Sequence, residues 1–340
     1  MDKSYYRASL GFVVSANQGA WTLTKPSLNL NLQKFKATNG SMRTRTHSTA
    51  RHDVSMKLST MRPSAPKDDI DAQSQTQTQT QAATKNAKKK TGRAAELHTD
   101  GDTLLDEPKH ILLCATTAAI SAINLAQVIQ TSMSSSATTQ NQLMVCLAVF
   151  VAYVFADFAS GVYHWAVDNY GDRDTPVFGY QIDAFQGHHK SPWTITERGT
   201  FNNLHRACVP AIPLLFLLAL LNNYIPTTVQ AFGTTFLVSV VMAQEIHKWA
   251  HMIEPPKWVK VLQDLKLLLG RRDHGLHHTS PFEHNYCIVS GWCNSFLDKT
   301  GFFRFLEAFF HQVNGSKPIA WMLDSKVEED ASKFIFFRRE

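Results

Sequence analysis

Charged residues are scarce in this chain. They make up 18% of the 340 residues, below the roughly 25% that is typical of soluble globular proteins. Acidic residues are nearly missing from positions 1–67, which contain Asp2 and Asp53 against eleven Lys or Arg residues. Long apolar runs between residues 110 and 250 account for much of the shortage of charge. This composition indicates a membrane protein with a basic N-terminal extension.

Cysteine is also sparse, and the spacing of the cysteines is not typical of disulfide-bonded or zinc-binding proteins. The chain has five cysteines, and no two of them form a C-x-x-C pair. A disulfide scaffold and a thiolate zinc site are therefore both disfavoured. A secretory signal peptide is also disfavoured, because no apolar core of about 7–15 residues follows the first basic residues.

The N-terminal third has the composition of a targeting segment and a linker. Residues 1–67 are basic and contain sixteen Ser or Thr residues, which predicts an organelle transit peptide, with a disordered basic tail as the alternative. Arginine does not dominate, and this favours a plastid over a mitochondrion. Residues 68–105 contain Gln-Thr repeats and a lysine cluster, which predict a disordered linker. The working domain is then expected over 106–310, followed by a C-terminal tail over 311–340.

Four apolar stretches are long enough to cross a membrane as helices, since about 20 residues span the hydrocarbon core. They cover residues 111–131, 143–163, 207–223 and 227–246. If all four cross, every Lys and Arg from Lys109 onward falls on one side, here called the inner side, as the positive-inside rule predicts. The predicted fold is an all-α integral membrane protein with about four transmembrane helices. The alternative is a soluble protein with a buried helical core.

Histidine is over-represented, and its positions form a pattern. The chain has fifteen histidines, and ten of them lie between residues 164 and 284. Four groups fall on the inner side of the predicted topology, with spacings that place several members on one helix face. These candidate ligands are His164 with Asp168, His188 with His189, His247 with His251, and His274 with His277 and His278.

Eight imidazoles and one carboxylate are too many ligands for one metal ion. Two ions with three to five ligands each would use them all, and a nitrogen-rich set suits iron, zinc or manganese. A structural zinc site needs only four ligands. A zinc peptidase would have glutamate inside an H-E-x-x-H motif, but here Glu245 precedes His247. Haem would take single axial histidines on facing helices, so a di-iron centre that activates dioxygen fits these residues best.

Other residues near these groups are candidates for supporting roles. Asp157 lies seven residues before His164, inside a predicted membrane helix, where a carboxylate is costly and indicates function. We expect it to hydrogen-bond a ligand histidine, with a helix–helix hydrogen bond as the alternative, and Gln244 to act similarly. Isolated histidines are expected to be ordinary surface or core residues: His205, His284 and His311. A basic cluster near the last histidine group is expected to hold a lipid phosphate or an acidic electron donor: Lys266, Arg271 and Arg272.

These motifs resemble the membrane histidine-box desaturases, and most closely the branch that contains plasmanylethanolamine desaturase and plant fatty acid desaturase 4. The resemblance covers about residues 145–310, roughly half the chain. It rests on the segment from Asp157 to Gly171, on Ala184-Phe-Gln-Gly-His188-His189, on Gln244-Glu-Ile-His247-Lys-Trp-Ala-His251 and on Gly275-Leu-His277-His278. The first box has Asp168 where the commoner acyl desaturases have histidine, which leaves open whether Asp168 binds metal or orients a ligand.

The resemblance implies an oxidoreductase that inserts a double bond into a lipid chain with dioxygen and two electrons. In the plastid branch, the substrate is phosphatidylglycerol with palmitate at its second glycerol position, and the product has a trans double bond at carbon 3. The resemblance also implies two iron ions held by the nine candidate ligands, ferredoxin as electron donor, and a multi-pass chloroplast membrane protein with its metal site facing the stroma. Ligands at helix ends would lie near the headgroups, which fits a bond near the ester.

Two other function classes remain open from the sequence. One is an oxygenase on the same centre, such as a hydroxylase, or a desaturase that acts on another lipid such as an ether phospholipid. The other is a non-catalytic membrane metal-binding protein. An inactive relative would be expected to have lost ligands, but none of the nine positions is missing.

Overall fold

The computed structural model describes residues 94–99 and 101–334, and this part of the chain contains helices and no strand. The predicted transit peptide and most of the predicted linker lie outside the described residues. A 3-10 helix covers Pro192–Glu197. The α-helices are α1 (Pro108–Ser132), α2 (Thr139–Asn169), α3 (Gly179–His188), α4 (Thr200–Leu220), α5 (Thr227–His251), α6 (Lys257–Asp264), α7 (Arg271–His277), α8 (Asn294–Thr300), α9 (Phe302–Asn314), α10 (Ile319–Leu323) and α11 (Ser325–Ser332).

Four of these helices, α1, α2, α4 and α5, are long and apolar enough to cross a membrane. The prediction of an all-α protein with four such helices is therefore confirmed. The observed helices extend further than the apolar stretches at their inner ends. α2 continues to Asn169 and α5 to His251, so the candidate ligands on both helices are helical. Many large apolar side chains on these helices are exposed, for example Leu112, Phe150 and Phe216, as expected of surfaces that face lipid.

The four long helices pack in a defined order. α1 packs mainly against α4, α4 against α5, and α5 against α2. Small residues allow close approach where α2 is covered, since Ala152 and Ala156 are completely buried. The N-terminus of α2 is capped by Thr138, whose side chain accepts a hydrogen bond from the backbone N–H of Asn141 at 3.2 Å. This arrangement brings the C-terminal ends of α2 and α5 together.

A buried amide cluster connects α1, α4 and α5 away from the histidines. The side-chain amide of Asn124 donates to the carbonyl of Leu215 at 2.9 Å. Gln230 donates to the side-chain oxygens of Asn124 at 3.0 Å and Gln127 at 2.6 Å. Gln127 in turn donates to the carbonyl of Ala219 at 3.2 Å. Polar side chains that satisfy one another in this way stabilise helix association within a membrane.

The segment before α1 contacts the domain, although the sequence analysis assigned residues 68–105 to a disordered linker. Leu104 is buried, its carbonyl accepts from the N–H of Gly199 at 2.7 Å, and Asp102 pairs with Arg198. The N–H of Glu96 donates to the hydroxyl of Thr194 at 2.9 Å. We call residues 94–99 and 101–106 together the N-terminal strap. The strap is ordered, contrary to the prediction, because its backbone hydrogen bonds and the buried side chain of Leu104 fix it to the helical domain. Its composition is otherwise polar.

The C-terminal residues fold back onto α2, so the boundary predicted at residue 310 falls inside α9. Glu307 on α9 is completely buried and accepts hydrogen bonds from the indole N–H groups of Trp165 at 3.2 Å and Trp321 at 2.7 Å. Arg304 forms an ion pair with the same carboxylate. The side-chain oxygen of Asn169 accepts from the N–H of Ala320 at 3.1 Å. These contacts fix α9 and α10 beside the end of α2.

The amide cluster generates a stability prediction. Replacing Asn124 with alanine removes its bond to Leu215 and leaves Gln230 with one partner fewer. We expect Asn124→Ala to lower the free energy of unfolding by about 1 kcal/mol, the scale of such bonds in membrane proteins. Reversible unfolding of the purified protein in mixed micelles measures this change.

Ser121→Ala is the matched control on the same helix, because the buried hydroxyl of Ser121 has no hydrogen-bond partner. We expect this variant to be as stable as the wild type. Equal destabilisation by the two variants would contradict the importance of the amide cluster.

Candidate metal centre

Five histidines converge on one point, and we call them the five-histidine group. Four of them lie on α3, α5 and α7, and the fifth directly follows α7. One ring nitrogen of each lies within 4.8 Å of the others. The members are His188, His247, His251, His274 and His278. The i, i+4 spacing on α5 places His247 and His251 on one face, and α7 presents His274 to that face.

The distances around His251 cannot be explained by hydrogen bonds alone. Its Nε2 lies 2.9 Å from Nε2 of His188, 3.2 Å from that of His247 and 2.8 Å from that of His274. One ring nitrogen has either a single proton or a single lone pair, so it cannot bond three such partners. Nitrogens about 2.1 Å from a shared metal ion and at right angles to each other would lie about 3 Å apart. The spacing therefore fits imidazoles arranged around an ion.

A second group combines one carboxylate with three histidines, and we call it the carboxylate group. Its members are His164, Asp168, His189 and His277. The Oδ2 atom of Asp168 lies 3.2 Å from Nε2 of His164, 3.2 Å from Nε2 of His189 and 3.4 Å from Nε2 of His277. As in the first group, one oxygen faces three ring nitrogens.

Buried polar atoms without a hydrogen-bond partner support a metal in this second group. Nε2 of His164, Nε2 of His189, Nε2 of His277 and both oxygens of Asp168 are buried and unpaired. Such atoms are costly to bury without compensation. A cation between them would satisfy all of them together, so the residues present fit a metal site.

The imidazoles of His188 and His274, which lie outside the long helices, are held in the neutral form that metals require. Burial is the main cause that keeps the pKa values of His188 and His274 well below their usual range, and neighbouring imidazoles lower them further. A neutral imidazole has a free lone pair for a metal ion. These ligands therefore need no deprotonation at physiological pH.

The two groups lie side by side. The rings of His277 and His278 have centroids 5.3 Å apart, and those of His189 and His278 are 4.9 Å apart. The rings of His164 and His247, on α2 and α5, are 5.8 Å apart. The structure thus brings all nine predicted ligand residues, five of them buried and four half-buried, into one centre with two neighbouring groups. The three histidines expected to have ordinary roles, His205, His284 and His311, belong to neither group.

Backbone carbonyls orient two ligands of the carboxylate group. Nδ1 of His164 lies 2.9 Å from the carbonyl of Tyr286, and Nδ1 of His277 lies 2.9 Å from the carbonyl of His284. A proton on Nδ1 that is donated to a carbonyl leaves the Nε2 lone pair for the metal. Sequence analysis could not identify these two hydrogen bonds, because every residue has a backbone carbonyl and no residue type marks the ones that are used.

Asp157 does not have the partner that the sequence analysis expected. Its carboxylate accepts from the backbone N–H groups of Val289 at 3.2 Å, Ser290 and Gly291 at 2.8 Å, and Cys293 at 3.0 Å. No ligand histidine is among these donors, so the expectation of a direct hydrogen bond to a ligand was wrong. Asp157 instead fixes the loop that follows Tyr286, and its effect on His164 is indirect.

A cavity of about 510 Å³ leads to the five-histidine group, where His188 and His247 form part of its wall. This volume is within the usual range for small-molecule sites. The long helices contribute apolar lining, including Ala159, Phe236 and Val240. Gln244 also lines the cavity rather than supporting a ligand through a described hydrogen bond.

Charged and polar lining comes from segments that sequence analysis did not select. Arg198, Arg206 and Tyr180 contribute to the wall, together with the N-terminal strap through residues such as Asp102. The basic cluster chosen from the sequence is not part of this lining. Lys266 pairs with Asp273 at 3.1 Å, and Arg271 donates to the carbonyl of His251 at 3.3 Å.

Comparisons with known proteins agree with this geometry. Residues 153–321 match the lipid desaturase domain. The chain is 47% identical over 178 residues to fatty acid desaturase 4, chloroplastic, of Arabidopsis thaliana, covering 52% of this chain and 54% of the relative. It is 34% identical over 186 residues to plasmanylethanolamine desaturase 1 of Mus musculus, covering 52% of this chain and 69% of the relative. It is 33% identical over 174 residues to plasmanylethanolamine desaturase of Myxococcus xanthus, covering 50% and 62%.

The aligned region spans between about half and two thirds of the length of the relatives with the highest identity. No solved structure matches the chain significantly. The resemblance noted from the histidine motifs is confirmed, since the matched domain contains all nine candidate ligands. The chain therefore belongs to the lipid desaturase family.

Proposed function

We propose that this protein is a membrane lipid desaturase that forms a trans double bond at carbon 3 of palmitate in phosphatidylglycerol. One observation carries the proposal: nine side chains from separate parts of the sequence form two adjoining buried groups beside a cavity that is largely apolar. The 47% identity to fatty acid desaturase 4, chloroplastic, supports desaturation of a fatty acyl chain.

The two groups suit two iron ions. The five-histidine group would hold one ion and the carboxylate group the other, and nitrogen-rich sets of this kind bind iron well. Bound iron would supply the reductive activation of dioxygen, with the acyl chain losing two hydrogens and an external donor adding two electrons. The five-histidine group has one ligand more than a structural zinc site needs, and it lines a cavity, so a closed structural zinc site is disfavoured there.

The protein's own residues orient the ligands and exclude water. Carbonyls of Tyr286 and His284 fix the rings of His164 and His277. The ring of Phe185 lines the cavity with its centroid 5.2 Å from that of His164 and 6.5 Å from that of His247. This ring adds an apolar surface beside both groups. An acyl chain along the apolar wall would pass His188 and His247 close to the inner ends of the helices.

The inner ends of α2 and α5 support a double bond close to the ester. His164 and Asp168 occupy the last two turns of α2, and His247 and His251 the last two turns of α5. Such positions lie near the headgroup level of a bilayer. Carbon 3 of an acyl chain is just below the ester, whereas a mid-chain carbon would be several turns deeper.

We place the protein in a chloroplast membrane with its metal centre facing the stroma. The basic, hydroxyl-rich composition of residues 1–67 and the chloroplastic relatives support this location. Ferredoxin, an acidic iron–sulfur protein of that compartment, is the proposed electron donor. Lys266, Arg271 and Arg272 form the proposed docking surface, since Arg271 contacts the backbone of the ligand His251.

The first prediction concerns the product. Expression of the chain in plastids that lack such an activity should produce trans-3-hexadecenoic acid in phosphatidylglycerol, and His277→Ala should abolish it because the carboxylate group loses a ligand. Gas chromatography of the fatty acids from isolated phosphatidylglycerol measures both results.

His311→Ala is the control, because His311 belongs to neither metal group. A product heavier by one oxygen would favour a hydroxylase, and a new vinyl ether would favour an ether phospholipid as substrate. An unchanged lipid profile, with iron bound, would contradict desaturation.

The second prediction concerns metal content. The wild-type protein should contain about two iron ions per chain, and His251→Ala should lose about one, because its Nε2 is next to three other nitrogens of the five-histidine group. Asp168→Ala should lose about one from the other group. Elemental analysis of purified protein, with His311→Ala as control, measures this; an unchanged iron content in both variants would contradict the two-site assignment.

The third prediction concerns electron delivery. Arg272→Glu should raise the KM for ferredoxin several-fold at low ionic strength, since the exposed charge of the docking surface is reversed. The difference from wild type should shrink at high salt because charges are screened. Steady-state oxidation of reduced ferredoxin measures the KM, and the exposed Lys326, changed to Glu, is the control. An equal effect of the two variants would remove this surface from the proposal.

A further inference from the structure

The cavity has two arginines in its lining, and their surroundings differ. Arg198 donates to both oxygens of Asp102, to the carbonyl of Thr103 at 3.0 Å and to the side-chain oxygen of Asn202 at 2.9 Å. Its positive charge is therefore compensated by the N-terminal strap. Little hydrogen-bonding capacity remains on Arg198 for a bound molecule.

Arg206 has a different partner. Its guanidinium carbon lies 3.5 Å from the centre of the Tyr180 ring, which is a cation–π contact. Among the described residues, no carboxylate forms an ion pair with Arg206. Stacking uses the face of the guanidinium and leaves its N–H edges free for an anion.

The location of Arg206 indicates which kind of molecule would carry the anion. Arg206 lies about 9 Å along α4 from Thr200 by helix rise, and its exposed side chain reaches Tyr180 on α3, outside the long helices. Long cationic side chains in membrane helices extend to the headgroup level in this way. The same cavity continues along apolar walls to His188 and His247. Its ligand therefore combines an anion at headgroup level with an apolar chain.

We propose that Arg206, stacked on Tyr180, binds the phosphate of the phospholipid substrate, whose acyl chain lies in the cavity that leads to His188 and His247. This inference rests on the proposed lipid desaturase function and specifies how the headgroup is recognised. A guanidinium edge suits the paired oxygens of a phosphodiester. An uncharged glycosyl diacylglycerol offers no such group, so Arg206 would select phospholipids over neutral glycolipids.

The test uses the full chain with its iron bound, in dodecyl maltoside. Arg206→Gln should raise the KM for dipalmitoyl phosphatidylglycerol about tenfold or more, the effect of losing one charge-assisted hydrogen bond. The kcat should stay near the wild-type value, because the ligand groups are unchanged. Arg206→Lys should recover part of the affinity, since it retains the charge but not the flat, two-pronged geometry.

Three further variants test the contribution of the stacking contact and control for the loss of a positive charge elsewhere. Tyr180→Leu should raise the KM as Arg206→Gln does, whereas Tyr180→Phe should preserve it because the ring remains. Lys299→Gln removes one exposed positive charge outside the cavity lining and should leave KM unchanged. Equal KM values for Arg206→Gln and wild type would overturn the proposal, as would a fall in kcat without a change in KM.

A binding measurement keeps this inference separate from the proposed function. Native mass spectrometry of the wild-type protein should show retained dipalmitoyl phosphatidylglycerol in preference to dipalmitoyl monogalactosyl diacylglycerol, and Arg206→Gln should lose that preference. Retention without turnover would contradict desaturation of this lipid but leave the headgroup site intact. Turnover with an unchanged preference in Arg206→Gln would contradict the headgroup site alone. Displacement of the lipid by millimolar inorganic phosphate would indicate a site for a soluble anion and overturn the lipid assignment.

Discussion

Crowded lone pairs at the inner ends of α2 and α5 are the constraint on which the rest of the structure depends. The ligand atoms within each of the two groups lie within 4.8 Å of one another, and those of the carboxylate group have no hydrogen-bond partner. Such an arrangement is costly unless cations compensate it. The long helices supply the necessary rigidity, because α2 packs against α5, and α1 and α4 cover the other side of α5. Ligand geometry is thus a consequence of helix packing.

The loop after Tyr286 is fixed to α2 and so helps to hold the carboxylate group in place. Asp157 on α2 binds four backbone N–H groups of this loop, and the hydroxyl of Ser160 accepts from the N–H of Ile288 at 3.0 Å. A Cβ at Gly161 would lie 2.5 Å from the sulfur of Cys287, so glycine permits the close approach. The carbonyl of Tyr286 orients His164. The two turns of α2 before His164 therefore hold the loop that orients this ligand.

Sequence reasoning found the ligands and the long helices because both depend on residue type and local spacing. His247 and His251 are four apart on a helix, and the apolar stretches have the length of a membrane core. It failed for Asp157, since the donors are backbone groups more than 130 positions away in the chain. It also failed for the N-terminal strap, whose polar composition gives no sign that Asp102 meets Arg198. Contacts between distant segments, rather than local pattern, decide these features.

The metal groups and the N-terminal strap lie in different parts of the chain, and this bears on which lipid a family member selects. The matched domain, residues 153–321, contains both metal groups, so the chemistry that it supports belongs to the common part. The N-terminal strap lies outside the match but forms part of the cavity wall. By pairing with Arg198, Asp102 compensates one of the two cavity arginines and leaves Arg206 as the cation available to a headgroup. Given the proposed headgroup role of Arg206, we expect a change at Asp102 to alter which lipid binds while every metal ligand stays in place.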